Sequence, residues 1–145
     1  MKNFIALALM MLATPVIAQK TPVGVTYDAK IVRAIDGDTI VIEAPYLPAP
    51  LKPELGVRIF GVDTPEKSFR AKCDSEKQRG EQASVFVKNL ITSTKKYQVV
   101  LYDWDKFGGR GLGDMLFDGV SLRELLIKNG FARAYFGDAK QSWCN

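Results

Sequence analysis

Histidine is absent from the 145-residue chain. That excludes every histidine-based triad and every histidine-dependent nuclease or metalloprotease site. Proton transfer, if this is an enzyme, falls to Asp, Glu, Lys, Tyr or water. Cysteine is scarce as well, with only Cys73 and Cys144. If these two thiols are oxidised, a metal ion finds only oxygen ligands. That favours a hard cation such as Ca²⁺ or Mg²⁺ over Zn²⁺. Internal repeats and low-complexity tracts are also missing, and no long apolar run follows the first residues.

The one apolar run is at the start, in "MKNFIALALMMLATPVIAQK". Lys2 precedes an apolar stretch over residues 4–13, and Val16-Ile17-Ala18 supply short residues before a cleavage point. This is the pattern of a bacterial secretory signal peptide, and the stretch is short for a bilayer span. The expectation is cleavage after Ala18, export to the periplasm or beyond, and one domain over residues 19–145. No membrane anchor is expected, and the domain is read as a monomer. Twenty Lys and Arg face 16 Asp and Glu, a net charge of +4 that suits a polyanionic partner. Export makes a Cys73–Cys144 disulfide the expected pairing. Closing so long a loop stabilises by roughly 4 kcal/mol on the chain-entropy estimate.

Strand patterns dominate the first half. "VTYDAKIVRAI" is β-rich, and "DTIVIEA" alternates Ile40 and Ile42 against Val41 and Glu43. Asp36-Gly37-Asp38 between them reads as a tight hairpin. Four prolines in "PYLPAPLKPEL" read as an extended excursion. Further strands are expected at "GVRIFGV", "YQVVLYD" and "LGDMLF". A helix over residues 80–91 has a core stripe of Ala83, Phe86, Val87, Leu90 and Ile91. A second over residues 121–129 opens with the capping box Ser121-Leu122-Arg123-Glu124 and stops at Gly130. Five short antiparallel strands with a helix between the third and fourth suggest an OB-type barrel.

Four elements carry chemistry-bearing residues: Asp36-Gly37-Asp38-Thr39, Arg58, Asp63-Thr64-Pro65-Glu66, and Lys106-Phe107-Gly108-Gly109-Arg110. Each alone has a plain explanation as a turn, a half-exposed strand arginine or a flexible hairpin. Together they match the needs of phosphodiester hydrolysis. Two acids from separate loops can hold one hard cation, and two arginines can fork onto a phosphate. A further carboxylate can position the attacking water. Pro65 lacks an N–H and biases Thr64 away from the helical region, so the turn carrying Asp63 and Glu66 is stiff.

"AIDGDTI", "RIFGVDTPE" and "DKFGGRGLG", in this order, closely resemble the staphylococcal nuclease (thermonuclease) family. The likeness runs from about Tyr27 to Tyr135 and includes "SLRELLIKNGFARAY". It implies a five-stranded OB-type Greek-key barrel with helices. It implies Ca²⁺ held by carboxylates of Asp38 and Asp63 and the carbonyl of Thr64, with Asp36 acting through water. Mg²⁺ stays an alternative. Arg58 and Arg110 would grip the scissile phosphate, Arg110 favouring departure of the 5′-oxygen, and Glu66 would orient or deprotonate water. Lys106 and Tyr135 match nucleotide-contacting positions. The implied substrate is DNA or RNA, cut with little sequence specificity to 3′-phosphate fragments. Two departures stand out: Gly108-Gly109 has one glycine more than the family's Gly-Arg, and Phe107 replaces a common tyrosine.

Two other readings compete. A catalytically silent OB-type module would bind nucleic acid without cutting it. Mere binding does not need the acid pair beside a phosphate clamp. A Ca²⁺-binding structural domain leaves the two arginines unexplained. The export and disulfide readings predict one measurement: intact-mass analysis of exported, non-reduced protein gives a chain starting at Gln19 and lacking two hydrogens. A mass with both thiols free would remove the disulfide.

Overall fold

One bent run of chain closes the sheet. In the computed structural model, which describes residues 22–144, strands β1 (Val25–Asp28) and β2 (Ile31–Ala34) are the two arms of that run. Residues 1–18, the expected leader, lie outside the described part. The chain continues through β3 (Thr39–Glu43), β4 (Glu54–Ile59), β5 (Val62–Asp63) and helix α1 (Asp74–Ser93). It then forms β6 (Tyr97–Trp104), β7 (Arg110–Phe117), β8 (Val120–Ser121), helix α2 (Leu122–Lys128) and β9 (Arg133–Ala134). No described helix is long and apolar enough to cross a membrane.

Strand β1 pairs with β6 and β2 pairs with β3. Across the bend between them, Ala29 N–H donates to the Tyr97 carbonyl at 3.0 Å, and Glu43 N–H donates to the Lys30 carbonyl at 2.9 Å. The path β1-β6-β7-β4-β3-β2 therefore returns to its starting strand, giving the expected five-stave barrel with no long free edge. All its pairings are antiparallel except β4 with β7, which is parallel and sets Gly56 opposite Arg110. The expectation of uniformly antiparallel strands is corrected at this pair. A helix separates the two strands in sequence, so they can run the same way.

Val/Ile-rich β3 is buried from Thr39 to Ile42: Ile40 and Ile42 join the core, and Val41 on the opposite face is covered as well. In β4 the alternation is strict: Leu55, Val57 and Ile59 point to the core, leaving Arg58 on the other face. Ile40, Val57, Ile59, Val87, Met115, Leu122 and Leu126 are all at 0–1% exposure and knit barrel and helices together. The proline excursion is pinched shut where Ala44 N–H meets the Pro53 carbonyl at 2.7 Å.

Helix α1 starts six residues before the apolar stripe predicts. Its first turns, Asp74 to Arg79, hold polar helix formers and show no stripe. Cys73 caps it, its sulfur accepting from Glu76 N–H at 3.4 Å, and Asp74 and Glu76 suit the positive end of the helix dipole. Cys73 is also bonded to Cys144, as expected, with Cα atoms 6.0 Å apart. Helix α2 follows its capping box: Ser121 Oγ accepts from Glu124 N–H at 3.2 Å.

Gly80 marks where α1 rests on the turn holding Asp63 and Glu66. A Cβ there would lie 2.4 Å from the Glu66 carbonyl oxygen and 2.8 Å from that of Pro65. In an open helix Gly→Ala stabilises by about 1 kcal/mol. Here Gly80→Ala is expected to destabilise by about 1–3 kcal/mol, as overpacking does. Urea unfolding checks the sign, and a raised midpoint would refute the close approach.

Candidate active site

The hairpin between β2 and β3 presents the first acids. Ile35 N–H reaches the Thr39 carbonyl at 2.9 Å and closes the loop. Within it Asp38 N–H donates to Asp36 Oδ1 at 3.2 Å. Asp38 is 4% exposed and its carboxylate is fully engaged. It accepts from Thr39 Oγ1 at 3.2 Å and Thr64 Oγ1 at 2.8 Å, and it makes a close ion pair with Arg58. Pairing of Thr39 with Arg58 across β3 and β4 puts the guanidinium beside the hairpin acid. The Thr64 hydroxyl ties the β5 turn to the same carboxylate.

Charge crowding shows in the protonation equilibria. Burial, then the charge of Asp38, raise the Asp36 carboxyl to about 6. For Arg58, burial favours the neutral form, but the Asp38 charge and hydrogen bond outweigh it and raise its pKa above the ordinary value. The charges of Asp36 and Asp105 act on Arg58 in the same direction.

Asp63 is 4% exposed and pairs with Arg133 across β5 and β9. Its carboxylate takes Trp143 Nε1–H on Oδ2 at 2.9 Å and Lys140 Nζ on Oδ1 at 2.7 Å. Glu66 is seated through its backbone: its N–H donates to Glu76 Oε1 at 3.3 Å, and Glu76 Oε2 accepts from Lys72 N–H at 2.7 Å. Glu76 is 5% exposed, so a buried carboxylate of α1 pins both ends of the loop after Glu66.

Arg110 opens β7. Gly108 and Gly109 take φ of 68° and 73°, a left-handed pair that turns the hairpin and absorbs the extra glycine. Arg110 Nε donates to Asp105 Oδ2 at 2.6 Å, and Asp105 N–H donates to the Arg110 carbonyl at 3.0 Å. Lys106 lies on the exposed tip with its Nζ 4.9 Å from the Phe107 ring centre. Tyr135 follows β9, its N–H on the Gly61 carbonyl at 3.0 Å, and Lys140 Nζ lies 5.5 Å from its ring centre. Direct contacts thus gather Asp36, Asp38, Arg58 and Thr64, with Asp63 next along the chain. Arg110 joins them through Asp105, which feels the charge of Arg58. Lys106 stays at the hairpin tip, apart from these contacts.

Sequence reading missed Asp105, Glu76, Lys140 and Trp143. Asp105 lies inside the "DKFGGRGLG" motif, five residues before its arginine. Trp143 adjoins Cys144, and the expected disulfide already brought that segment toward the turn at Asp63.

The donor set fits a hard cation. Two buried carboxylates, Asp38 and Asp63, flank a threonine whose carbonyl can join them, and the nearby acids leave surplus negative charge. Asp36 is tied to this set through its own loop, where Oδ1 accepts from Asp38 N–H. The only described trio that close is Cys73, Glu76 and Cys144, and its sulfurs are spent in the disulfide. Binding at Asp63 requires Lys140 to give up Oδ1.

Asp105 generates a pH prediction. Burial would raise its carboxyl, but the Arg110 hydrogen bond and charge prevail and hold it below the ordinary value. A depressed acid contributes stability that is complete above its unfolded pKa, about 3.9, and fades as pH falls through the native value. Wild type is therefore expected to exceed Asp105→Asn in urea stability at neutral pH, with the gap closing below about pH 4. A gap that widens on acidification would contradict the ion pair.

The family model for staphylococcal nuclease homologues matches residues 56–143, from the middle of β4 to Trp143. Over 115 residues the chain is 30% identical to Endonuclease YhcR of Bacillus subtilis (strain 168), covering 76% of this chain and 9% of that protein. Over 109 residues it is 33% identical to Thermonuclease of Staphylococcus hyicus, covering 74% of this chain and 59% of that protein. The chain thus spans less than two thirds of the length of either relative. The matched region holds both arginine-bearing strands, the Asp63 turn and the segment that closes over it, and the chain belongs to the staphylococcal nuclease homologue family.

Proposed function

We propose that this chain is a calcium-dependent phosphodiesterase that hydrolyses DNA or RNA with little sequence specificity and leaves 3′-phosphate ends. One observation carries the reading: two arginines and two buried carboxylates meet at one end of the barrel, each held by a partner of opposite charge. A binding surface for nucleic acid needs the cations but not the buried acids among them. The nuclease names of both relatives support the same reaction class.

The chemistry follows from the residues. Asp38, Asp63 and the Thr64 carbonyl would hold the cation, with Asp36 reaching it through water. When bound, a divalent cation offsets charge on a non-bridging phosphate oxygen. Arg58 and Arg110 exchange their carboxylate partners for the phosphate, each offering paired N–H donors. Arg110, once it leaves Asp105, stabilises the departing 5′-oxygen. Glu66 aligns a water for attack opposite that oxygen and accepts its proton. Pro65 and the Glu76 contacts hold Glu66 in place while this happens. Lys106 and Tyr135 would lie along the bound nucleotide. The apolar leader supports export, after which residues 19–145 act in the periplasm or outside the cell.

Plasmid and single-stranded substrates tested with Ca²⁺, with Mg²⁺ and with chelator decide the matter. Cleavage with Ca²⁺ that disappears on chelation is expected. Retained binding without cleavage under every ion would establish the silent binding module instead. Glu66→Gln and Arg110→Ala are each expected to lower turnover on the order of 10²-fold. Glu66→Gln keeps the urea midpoint, whereas Arg110→Ala lowers it through loss of the Asp105 ion pair. Near-normal turnover would remove that residue from the mechanism.

A further inference from the structure

The segment after β9 does more than end the fold. It runs back over the Asp63 turn and is fastened three ways. Cys144 is bonded to Cys73 at the start of α1. Arg133 donates from Nη1 to the Ser142 carbonyl at 2.9 Å. The same guanidinium lies 3.8 Å from the centre of the Trp143 ring, a close cation–π contact. Arg133 is in turn the cross-strand partner of Asp63. Trp143 is 7% exposed, and its indole has one polar atom. That atom is spent on Asp63 Oδ2. A buried tryptophan needs one acceptor, and a backbone carbonyl would do; here the acceptor is a carboxylate proposed to bind metal. The other oxygen of Asp63 carries Lys140 Nζ, whose side chain is half exposed.

We infer that Trp143 is a positioning residue for Asp63, and that Lys140 is an internal cation which a metal ion must displace from the same carboxylate. The indole fixes the plane of the carboxylate and occupies Oδ2. Oδ1 is then left to the half-exposed ammonium of Lys140. A fixed carboxylate loses less freedom on binding a cation than a rotating one. Lys140 keeps the buried charge balanced until that cation arrives, and its exposed stem lets it swing away. The two residues therefore act on metal affinity in opposite directions, with the proposed metal site as their shared premise.

Calorimetric titration of Ca²⁺ alone into the full, oxidised chain separates these roles from mere support of the fold. Trp143→Phe is expected to bind Ca²⁺ roughly 10-fold more weakly, the usual cost of losing a group that orients a metal ligand. Lys140→Met is expected to bind it roughly 2- to 5-fold more tightly, as loss of a partly exposed ion pair predicts. Urea midpoints in chelator control for folding. A purely structural Trp143 would move the midpoint and leave the affinity alone, which overturns its role. Unchanged or weaker binding by Lys140→Met overturns the competitor, and this exposed substitution serves even if Trp143→Phe does not fold. If wild type binds Ca²⁺ and both variants match it, the inference fails and the metal reading stands. If wild type binds no Ca²⁺, both fall.

Discussion

Carboxylates crowded into one mouth of a barrel cannot all remain charged and buried unless cations stand among them. This constraint organises the molecule. Asp38 is answered by Arg58, Asp105 by Arg110 and Asp63 by Lys140. Asp36 has no such close answer and is the one carboxyl raised to about 6. Among the described residues, no buried side-chain nitrogen or oxygen lacks a hydrogen-bond partner. Apart from Asp36, the acids of the resting site are thus held in ion pairs. On the proposed function, a phosphate and a metal ion would enter by exchange, the anion taking over the arginines while the cation takes over the acids. Such exchange disturbs net charge little.

Supporting that set takes much of the fold. The parallel pairing of β4 with β7 brings the two arginine-bearing strands side by side. Helix α1 works from beneath. Gly80 lets its backbone touch the Glu66 carbonyl, and one turn earlier Glu76 fixes the loop that follows. Neither residue would take part in chemistry, yet both decide where Glu66 sits.

Legibility in the sequence followed the range of the forces involved. Barrel strands were readable because alternating Val and Ile report a two-sided environment residue by residue. The start of α1 was not, because Asp74 to Arg79 carry no apolar stripe. Strands β5 and β9, two residues each, are too short to leave any period. Acids in "DGDT" and "DTPE", ordinary in a turn taken singly, stood out because they come in order with Arg58 and Arg110 and with the family likeness those motifs carry. Asp105 and Glu76 did not, since an acid on a hairpin or a helix surface is ordinary until its partner is seen. Trp143 needed one more step. The expected disulfide already implied that residues beside Cys144 lie near the Asp63 turn, and tryptophan is the one among them with both bulk and a donor.

The bond from Trp143 to Asp63 joins residues 80 positions apart, and the disulfide spans 71. A growing chain makes its acids early and its tryptophan late. Strands β2 to β4 can begin to pair while the rest is still being synthesised, but Asp63 lacks its indole partner until Trp143 emerges. If the proposed activity is correct, a nascent or truncated chain is a folding barrel without a finished catalytic centre. Timing of synthesis alone would then keep a destructive hydrolase silent until it is whole.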